Sequence, residues 1–426
     1  MSGDRGGRAA RTVNTRRLLL FVCALVLVDT VFFTALTPLL PHYVHGLGLS
    51  KTEAGILVAA YPFGTLIGAL PGGVFASRLG VRSAVVLGLC FMSGATLVFG
   101  LGTSILVLDS ARLVQGLGGA CTWAGGMAWL AAATPVDRRG EAIGVALGAA
   151  VGGALLGPVI GAVASRVGTG PAFDAAAVAG FCLLLASFRV GTPPGGESQS
   201  LRSAMHAIGD WGVAGGMWLT CLAGLSFGVV DVLAPLQLSA LGASAILIGG
   251  AFLGSAALET VLSPFVGRLA DRRGRLFPVK LSLLAGIAVG VLIPLLHSDW
   301  ILVALLVVGL PAYGTLFVPA AAMLSDGADR RKLHHGLGFG LANLSWATGQ
   351  AVAAASSGAL AQATVDAVPY LMLAAAFACT LLALQPRGRR VIARLGSGAR
   401  VGARAPDPSG GRDGPDGPYP PEGGIV

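Results

Sequence analysis

Four ionisable residues lie inside long apolar stretches of the sequence, where few charges are expected. Asp29 lies in the middle of the run at residues 18–40, and Arg112, Asp231 and Glu259 lie in later runs. Because a charge at bilayer depth is costly, such residues usually face a water-filled cavity and take part in ion or substrate transport. The alternative for Asp29 is a protonated carboxyl that hydrogen-bonds a neighbouring helix. We interpret the four residues as candidate proton-coupling groups.

The stretches that hold these residues are long enough to be membrane-spanning helices. The chain is 54% hydrophobic and 12% charged, with a mean hydropathy of +0.77, whereas soluble domains carry roughly 25% charged residues. Crossing the hydrocarbon core takes ~20 apolar residues. We predict an all-α membrane protein with twelve transmembrane helices, numbered here as spans in chain order. The predicted spans are 18–40, 53–74, 83–102, 105–127, 142–164, 171–189, 214–237, 244–266, 278–297, 301–324, 336–360 and 367–385.

The basic residues predict the orientation of these spans. With a cytoplasmic amino terminus, 26 of the 29 Lys and Arg residues fall in cytoplasmic segments, as expected because Lys and Arg collect on the inner side of membranes. Lys51 and Arg166 then lie outside, and Arg112 lies within a span. We expect a multi-pass protein of the cytoplasmic membrane with both termini inside. Contact with anionic lipid accounts for the basic charge, so nucleic acid is not an expected partner.

The sequence divides into two halves of six spans each. Residues 73–82 (GVFASRLGVR) match residues 267–276 (GRLADRRGRL) at an offset of 194 residues. Duplicated six-span units are typical of transporters whose halves move about a midplane site. The predicted segments are an N-terminal cytoplasmic segment (1–17), a six-helix bundle (18–189), a cytoplasmic linker (190–212), a second six-helix bundle (213–386) and a cytoplasmic tail that we expect to be disordered (387–426).

Four motifs occur along the chain, at residues 28–41 (VDTVFFTALTPLLP), 111–118 (ARLVQGLG), 153–161 (GALLGPVIG) and 267–275 (GRLADRRGR), the last with a weaker twin at residue 73. Together they resemble the major facilitator superfamily, and within it the twelve-span drug:proton antiporters of the vesicular amine transporter-like branch. The resemblance runs from about residue 16 to residue 386. It implies two six-helix pseudo-repeats and a proton-coupled exporter of lipophilic or cationic small molecules.

The resemblance also implies where gating takes place. In the family, the loop at 267–275 latches the outward-facing state, and the fifth-span glycine motif contacts the opposite half. Small residues at four-residue spacing also simply pack membrane helices, and a basic inner loop also simply follows from topology. Ser77 replaces the family's aspartate in the first loop copy, so Asp271 is expected to carry more of the latch. The gating candidates are Gly73, Arg78, Arg82, Gly157, Pro158, Gly161, Gly267, Asp271, Arg272 and Gly274.

Candidate substrate contacts surround the acid of the first span. The expected partner of Arg112 is Asp29, with Asp109 one turn away as the alternative. Aromatic walls with a few polar groups around an acid suit a lipophilic cation, although each such residue alone is more often a packing residue. The candidates are Asp29, Phe32, Phe33, Gln115, Trp123, Tyr313, Phe317, Asn343, Trp346 and Gln350.

The sequence leaves other functions open. One alternative is a sugar or amino acid carrier of the same fold, in which Arg112 holds an anionic or zwitterionic substrate. Another is a membrane receptor or scaffold that does not transport. No catalytic constellation, metal-ligand spacing or nucleotide-binding loop occurs in the sequence. We therefore expect no enzyme and no cofactor; the expected partners are a small-molecule substrate, protons and membrane lipids, and the expected state is a monomer.

Overall fold

The structure is a computed structural model that describes residues 14–135, 138–192, 205–331 and 335–385. All regular elements in these ranges are helices, which confirms the predicted all-α class. The described residues up to Thr380 form one compact unit, and a second unit begins at Leu381. Most of the predicted N-terminal segment, part of the linker and the tail at 387–426 lie outside the described residues.

Each predicted span coincides with a helical segment. Among the described residues, nine segments are long and apolar enough to cross a membrane, and three further helices occupy the fourth, eleventh and twelfth predicted spans. In chain order the spans are Thr15–Leu47, Lys51–Leu79, Val81–Leu101, Ile105–Ala133, Arg139–Val167, Thr169–Ser187, Trp211–Ala240, Ala245–Arg273, Leu276–Leu295, Asp299–Arg330, His335–Ala363 and Ala367–Ala383.

The internal repeat of the sequence recurs in the helix ends. The second span, Lys51–Leu79, and the eighth, Ala245–Arg273, are both 29 residues long, and their bounds differ by the same 194 residues. Ser50 and Ser244 cap their first turns by accepting a backbone N–H, which satisfies a donor that the helix leaves unpaired. The turns before and after both helices use glycines in the left-handed region, Gly48, Gly80, Gly242 and Gly274.

The tenth span departs from this repeat because it is interrupted. Its first helix ends at Gly309, a single turn follows at Pro311–Gly314, and the helix resumes as Phe317–Arg330. Proline has no N–H to continue the helix. The repeat counterpart of this segment, Ile105–Ala133, is one continuous helix. The two halves therefore share a scaffold that differs at the middle of the tenth span and in the first span, whose helix ends at Thr34 whereas its counterpart, Trp211–Ala240, is continuous.

The two halves pack closely at one end of the unit, which we call the closed end. Gly55 of the second span lies against the eleventh span, where a Cβ would come within 2.6 Å of the Ala354 carbonyl oxygen. Gly249 of the eighth span lies against the fifth, where a Cβ would come within 2.8 Å of the Pro158 carbonyl oxygen. Gly55 and Gly249 are themselves related by the 194-residue offset. The closed end thus has a glycine contact at the same repeat position in both halves.

Polar contacts join the halves at the closed end as well. The Lys51 ammonium forms an ion pair with the Asp366 carboxylate, and the Thr52 hydroxyl donates to Gln362 Oε1 at 2.8 Å. None of these four residues was predicted to form a contact. The predicted topology, which places Lys51 outside, assigns the closed end to the outer side of the membrane.

Candidate functional site

A cavity of about 1580 Å³ lies between the halves and opens at the end opposite the closed end. At this open end it is lined by Gly80 in the turn after the second span, by Arg82 at the start of the third and by Arg139 at the start of the fifth. Toward the closed end it reaches Thr37 and Asp231. Pockets for drug-sized ligands usually measure roughly 300–1,000 Å³, so this cavity has room for a bulky molecule.

Both halves line the cavity with equivalent positions. When the 194-residue offset is applied, side chains of the first, second and fourth spans correspond to side chains of the seventh, eighth and tenth, and both members of each pair line the cavity. The scaffold is therefore duplicated at the site, while the side chains differ. The pairs are Phe33 with Phe227, Thr37 with Asp231, Tyr61 with Ser255, Thr65 with Glu259, and Trp123 with Phe317.

Asp29 lies in the cavity wall with both carboxylate oxygens hydrogen-bonded. The Tyr61 hydroxyl donates to Oδ1 at 2.8 Å, and Trp123 Nε1 donates to Oδ2 at 2.6 Å. The Phe33 ring lies 5.1 Å from the Tyr61 ring and 5.4 Å from the Trp346 ring, centroid to centroid. Asp29 thus has the hydrogen bonds that a buried carboxylate requires, and aromatic rings surround it.

Arg112 does not pair with an acid in the part of the chain that the structure describes. Its Nη1 donates to the Phe32 carbonyl at 3.0 Å and to Gln115 Oε1 at 3.2 Å, and its Nη2 donates to the Phe33 carbonyl at 3.3 Å. The predicted ion pair with Asp29 is therefore replaced by neutral acceptors. The reason lies in the first span, whose helix ends at Thr34 and leaves its last carbonyls without helical partners.

This arrangement places Arg112 behind the cavity wall. The residue is 2% exposed and is absent from the cavity lining. Its guanidinium carbon lies 4.9 Å from the centre of the Tyr61 ring, within range of a cation–π interaction. The alternative partner Asp109 also forms no ion pair among the described residues, and its Oδ1 is buried without a hydrogen-bond partner.

The two acids of the second half differ in their partners. Asp231 accepts a hydrogen bond from Gln350 Nε2 at 3.2 Å, which joins the seventh and eleventh spans. Glu259 of the eighth span lines the cavity, and its carboxylate lies against Gly314 in the interrupted tenth span. Among the described residues, no group of three or more His, Cys, Asp or Glu side chains is placed to hold a metal ion.

The remaining predicted contacts fall partly inside and partly outside the cavity. Phe317, Asn343 and Trp346 line it together with Phe33 and Trp123. Two others do not line it: Phe32, itself on the first span, packs in the hydrophobic core, and Gln115 Nε2 donates to the Thr96 hydroxyl at 2.9 Å. Phe32 points away because neighbouring helical residues lie on different faces.

Tyr313 and Gln350 also lie outside the cavity lining. Tyr313 donates to the Gly286 carbonyl at 3.1 Å and packs on Phe377. Gln350 reaches the site only through its hydrogen bond to Asp231. Two residues that sequence reasoning missed, Tyr61 and Phe227, are cavity residues. The repeat offset was the available signal for Phe227, because it maps Phe33 onto that position.

The fifth-span glycines pack differently from the expectation. Gly153, Gly157 and Gly161 lie against the first span of their own half, where a Cβ at each would overlap the backbone or a side chain of that span. The contact with the opposite half comes instead from Pro158, which meets Gly249. The difference arises because Pro158, one residue after Gly157, lies on another face of the helix.

The loop residues at the open end keep their contacts within their own halves. Asp271 accepts from Arg275 at 3.0 Å, and Arg275 also contacts Asp326 at 3.4 Å. Arg82 donates to the Val190 carbonyl. Within the described ranges, no ion pair joins the halves at this end, in keeping with an open cavity mouth. Of the other gating candidates, Gly73 lines the cavity, Gly274 forms the turn after the eighth span, Arg78 and Arg272 are exposed, and Gly267 is partly exposed.

This chain is similar to a family model and to bacterial drug-resistance proteins. A family model described as Major Facilitator Superfamily matches residues 22–333 and 217–407. Multidrug resistance protein 2 of Bacillus subtilis (strain 168) is 31% identical over 107 residues, which cover 25% of this chain and 27% of that protein. Quinolone resistance protein NorA of Staphylococcus aureus (strain MRSA252) is 29% identical over 107 residues, covering 25% and 28%. The matches thus span about a quarter of each of these two relatives.

Solved structures share the fold over most of their length. A bacterial homolog of the human lysosomal transporter Spinster, inward-facing and unoccupied, superposes with a TM-score of 0.70 at 14% identity, covering 88% of this chain and 95% of that one. A D-xylose-proton symporter gives a TM-score of 0.67 at 17% identity, covering 87% and 97%. At these identities the likeness concerns the fold alone.

Proposed function

Because the chain belongs to the Major Facilitator Superfamily and is a multi-pass membrane transporter rather than an enzyme, we propose that it exports lipophilic or cationic small molecules in exchange for protons. One observation carries the proposal: among the described residues, the charged side chains that line the cavity away from its mouth are three carboxylates, Asp29, Asp231 and Glu259. Several charges of one sign in a low-dielectric cleft produce a potential that attracts ions of the opposite sign. The cavity therefore favours organic cations.

The aromatic lining supports the same substrate class. Phe33, Trp123, Phe227, Phe317 and Trp346 all line the cavity, and aromatic faces attract cations as well as apolar bodies. Multidrug and quinolone resistance proteins among the relatives agree with export of such molecules. The metabolite alternative requires a substrate carboxylate bound to Arg112. The burial of that side chain behind the wall argues against it.

Proton coupling is assigned to Asp29, the acid of the first span. Tyr61 and Trp123 donate to its ionised form, and when Asp29 takes up a proton the oxygen that carries it becomes a donor and a weaker acceptor. A charge moved across 100 mV supplies ~2.3 kcal/mol, and a gradient of one pH unit supplies ~1.4 kcal/mol. Together these drive a concentration ratio of a few hundred.

The orientation follows from the basic residues. We infer that the open end faces the cytoplasm, because Arg82 and Arg139 at its mouth belong to the Lys- and Arg-rich side of the chain. The described state then loads substrate from inside the cell. We expect the chain to work as a monomer in the cytoplasmic membrane, with lipids around it and no nucleic-acid partner.

The test is proton-driven uptake of ethidium into inside-out proteoliposomes. Wild-type protein is expected to accumulate ethidium when the lumen is acidic and to release protons in exchange. Asp29→Asn is expected to abolish gradient-driven uptake. Asp299→Asn changes a partly exposed acid outside the cavity lining; it serves as the control and should transport normally. Retained proton-coupled uptake by Asp29→Asn would remove Asp29 from the mechanism, and absence of uptake by the wild type would reject the antiport.

A further inference from the structure

The three carboxylates of the cavity differ in how many hydrogen bonds they receive. Asp29 receives one on each oxygen, from Tyr61 and Trp123, and Asp231 receives one from Gln350. Glu259 receives none from any described backbone or side-chain donor. An ionised carboxylate has lone pairs for about four hydrogen bonds. Glu259 is therefore the acid of the cavity with the most unused capacity for a ligand.

The position of Glu259 is fixed by the interruption of the tenth span. Its carboxylate occupies the place where a Cβ of Gly314 would be, in the single turn between the two helices of that span. Glycine at this position lets the acid lie directly on the tenth-span backbone. Interrupted helices form the substrate sites of many transporters, and here the interruption brings the tenth span against an acid.

The surroundings of Glu259 in the cavity are apolar and aromatic. Phe227 and Phe317 stack with centroids 6.2 Å apart and line the cavity together with Phe252. Ser255 and Ser263, one turn to either side of Glu259 on the eighth span, line it as well. Among the described residues, the other charged residues of the lining are Asp29, Asp231, Arg82 and Arg139. The repeat counterpart of Glu259 is Thr65, whose hydroxyl is satisfied by backbone carbonyls.

We propose that Glu259 is the ligand for the positive charge of the substrate, with the stacked pair Phe227 and Phe317 against its apolar body. The inference rests on the proposed function. It assigns proton binding to the first half and binding of the substrate cation to the second half. Asp29, with both oxygens bonded, carries the proton, and Glu259 selects cationic over neutral molecules. Substrate and proton then compete through the field of the shared cavity, and they need not contact the same carboxylate.

The test compares two probes of similar size in purified full-length protein, tetraphenylphosphonium, which is a cation, and triphenylphosphine oxide, which is neutral. Dissociation constants are measured by titration calorimetry between pH 6 and pH 8. Glu259→Gln is expected to weaken binding of the cation at least tenfold while the affinity for the neutral probe stays within twofold. Asp29→Asn is expected to remove the pH dependence of cation binding, whereas Glu259→Gln retains it.

A second variant pair checks the placement of the acid. Gly314→Ala displaces the Glu259 carboxylate and is expected to weaken tetraphenylphosphonium binding by threefold or more. Gly250→Ala on the eighth span, where a new Cβ meets nothing within 4 Å, should bind like the wild type.

Three outcomes overturn the proposal: Glu259→Gln weakens both probes equally, it changes neither, or the wild type binds no tetraphenylphosphonium. Glu259-dependent binding without proton exchange in proteoliposomes would keep the proposal and reject the antiport. Failure of the Glu259 proposal and failure of the proton antiport are thus distinguishable.

Discussion

The two halves of this transporter present the same scaffold to the cavity but different chemistry. In the first half, Asp29 receives two hydrogen bonds and Arg112 donates three. In the second half, Asp231 receives one, and Glu259 receives none from the residues that the structure describes. The positions related by the offset hold Ala223 for Asp29 and Leu306 for Arg112. Charge is therefore distributed asymmetrically over a duplicated framework.

This difference suggests a division of labour. Saturated polar groups are rigid, because moving them breaks several hydrogen bonds at once. Groups with free acceptor sites are ready to bind a ligand. The first half is thus built to hold a proton site in a fixed environment, and the second half to receive a molecule from the cavity. The closed end, in contrast, is nearly symmetric, since Gly55 and Gly249 make equivalent contacts.

The largest effect is expected when the buried cation of the first half is replaced by its repeat counterpart from the second half. Arg112→Leu copies Leu306 and leaves the Phe32 and Phe33 carbonyls without their partner. Each buried acceptor left unpaired costs about 1–3 kcal/mol. We expect transport of ethidium to fall more than tenfold and the melting temperature in detergent to drop by several degrees.

Arg112→Lys is the matched variant for this prediction. It keeps the charge but loses the planar fork that reaches several acceptors at once, so an intermediate loss is expected. Wild-type transport by Arg112→Leu would show that the buried cation is dispensable, and the contrast between the halves would then have no functional meaning.

The next test addresses the symmetric closed end. Gly55→Ala and Gly249→Ala each introduce a methyl group against backbone atoms that have no room to move. Each variant is expected to reduce the ethidium transport rate by about threefold to tenfold, corresponding to about 1 kcal/mol, because the closed end no longer packs fully.

The control for both glycine variants is again Gly250→Ala, beside Gly249 but facing open space. If one glycine variant loses activity and the other does not, the two closed-end contacts are unequal. The symmetry seen in the structure would then not extend to function.

Much of this architecture was predictable from the sequence. The spans follow from hydropathy, and the offset of residues 73–82 to 267–276 extends to the helix caps at Ser50 and Ser244. The cavity positions of Asp29, Phe33, Trp123 and Trp346 were also predicted. The spans and caps depend on local periodicity and spacing, which a sequence displays directly, whereas the cavity positions were predicted with the help of the family resemblance.

Which groups contact each other between different helices could not be predicted in the same way. Arg112 binds carbonyl groups that become free only where the first helix ends, and the Gly153 stripe packs on the first span because of its rotation about the helix axis. Tyr61 reaches Asp29 from 32 residues away in sequence. Each of these contacts depends on how helices are placed relative to one another. No spacing within one helix determines that placement.

A smaller effect is expected at the ion pair of the closed end. Lys51 and Asp366 have repeat counterparts Ala245 and Ala172, so this contact has no equivalent on the other side. Exposed ion pairs contribute about 0.2–1 kcal/mol. Lys51→Asp places two acids together and should lower the transport rate by about twofold to fivefold. The exchanged pair, Lys51→Asp with Asp366→Lys, should recover most of it, whereas no recovery would mean that the two charges act independently.

The smallest effect concerns the first turns of the first and seventh spans, which are capped by Asn14 and Asp210. Asp210 also contacts Arg330 at 2.7 Å. The Arg330 guanidinium, together with the two backbone N–H groups that Asp210 caps, lowers the pKa of Asp210 to about 2. A lowered pKa in the folded state stabilises the protein above the unfolded value of about 3.9, and this contribution is lost as the pH falls from about 4 toward 2.

Asp210→Asn makes the seventh span resemble the first, since Asn caps a helix as well as Asp does but carries no charge for Arg330. At pH 7 we expect the melting temperature in detergent to fall by about 1–2 °C, because a pair that solvent reaches on its Arg330 side contributes little. Asp210→Ala loses the cap as well and should fall further. The gap between wild type and Asp210→Asn should close as the pH is lowered through 3. A gap that persists at pH 2 would mean that the ion pair does not stabilise this end of the second half.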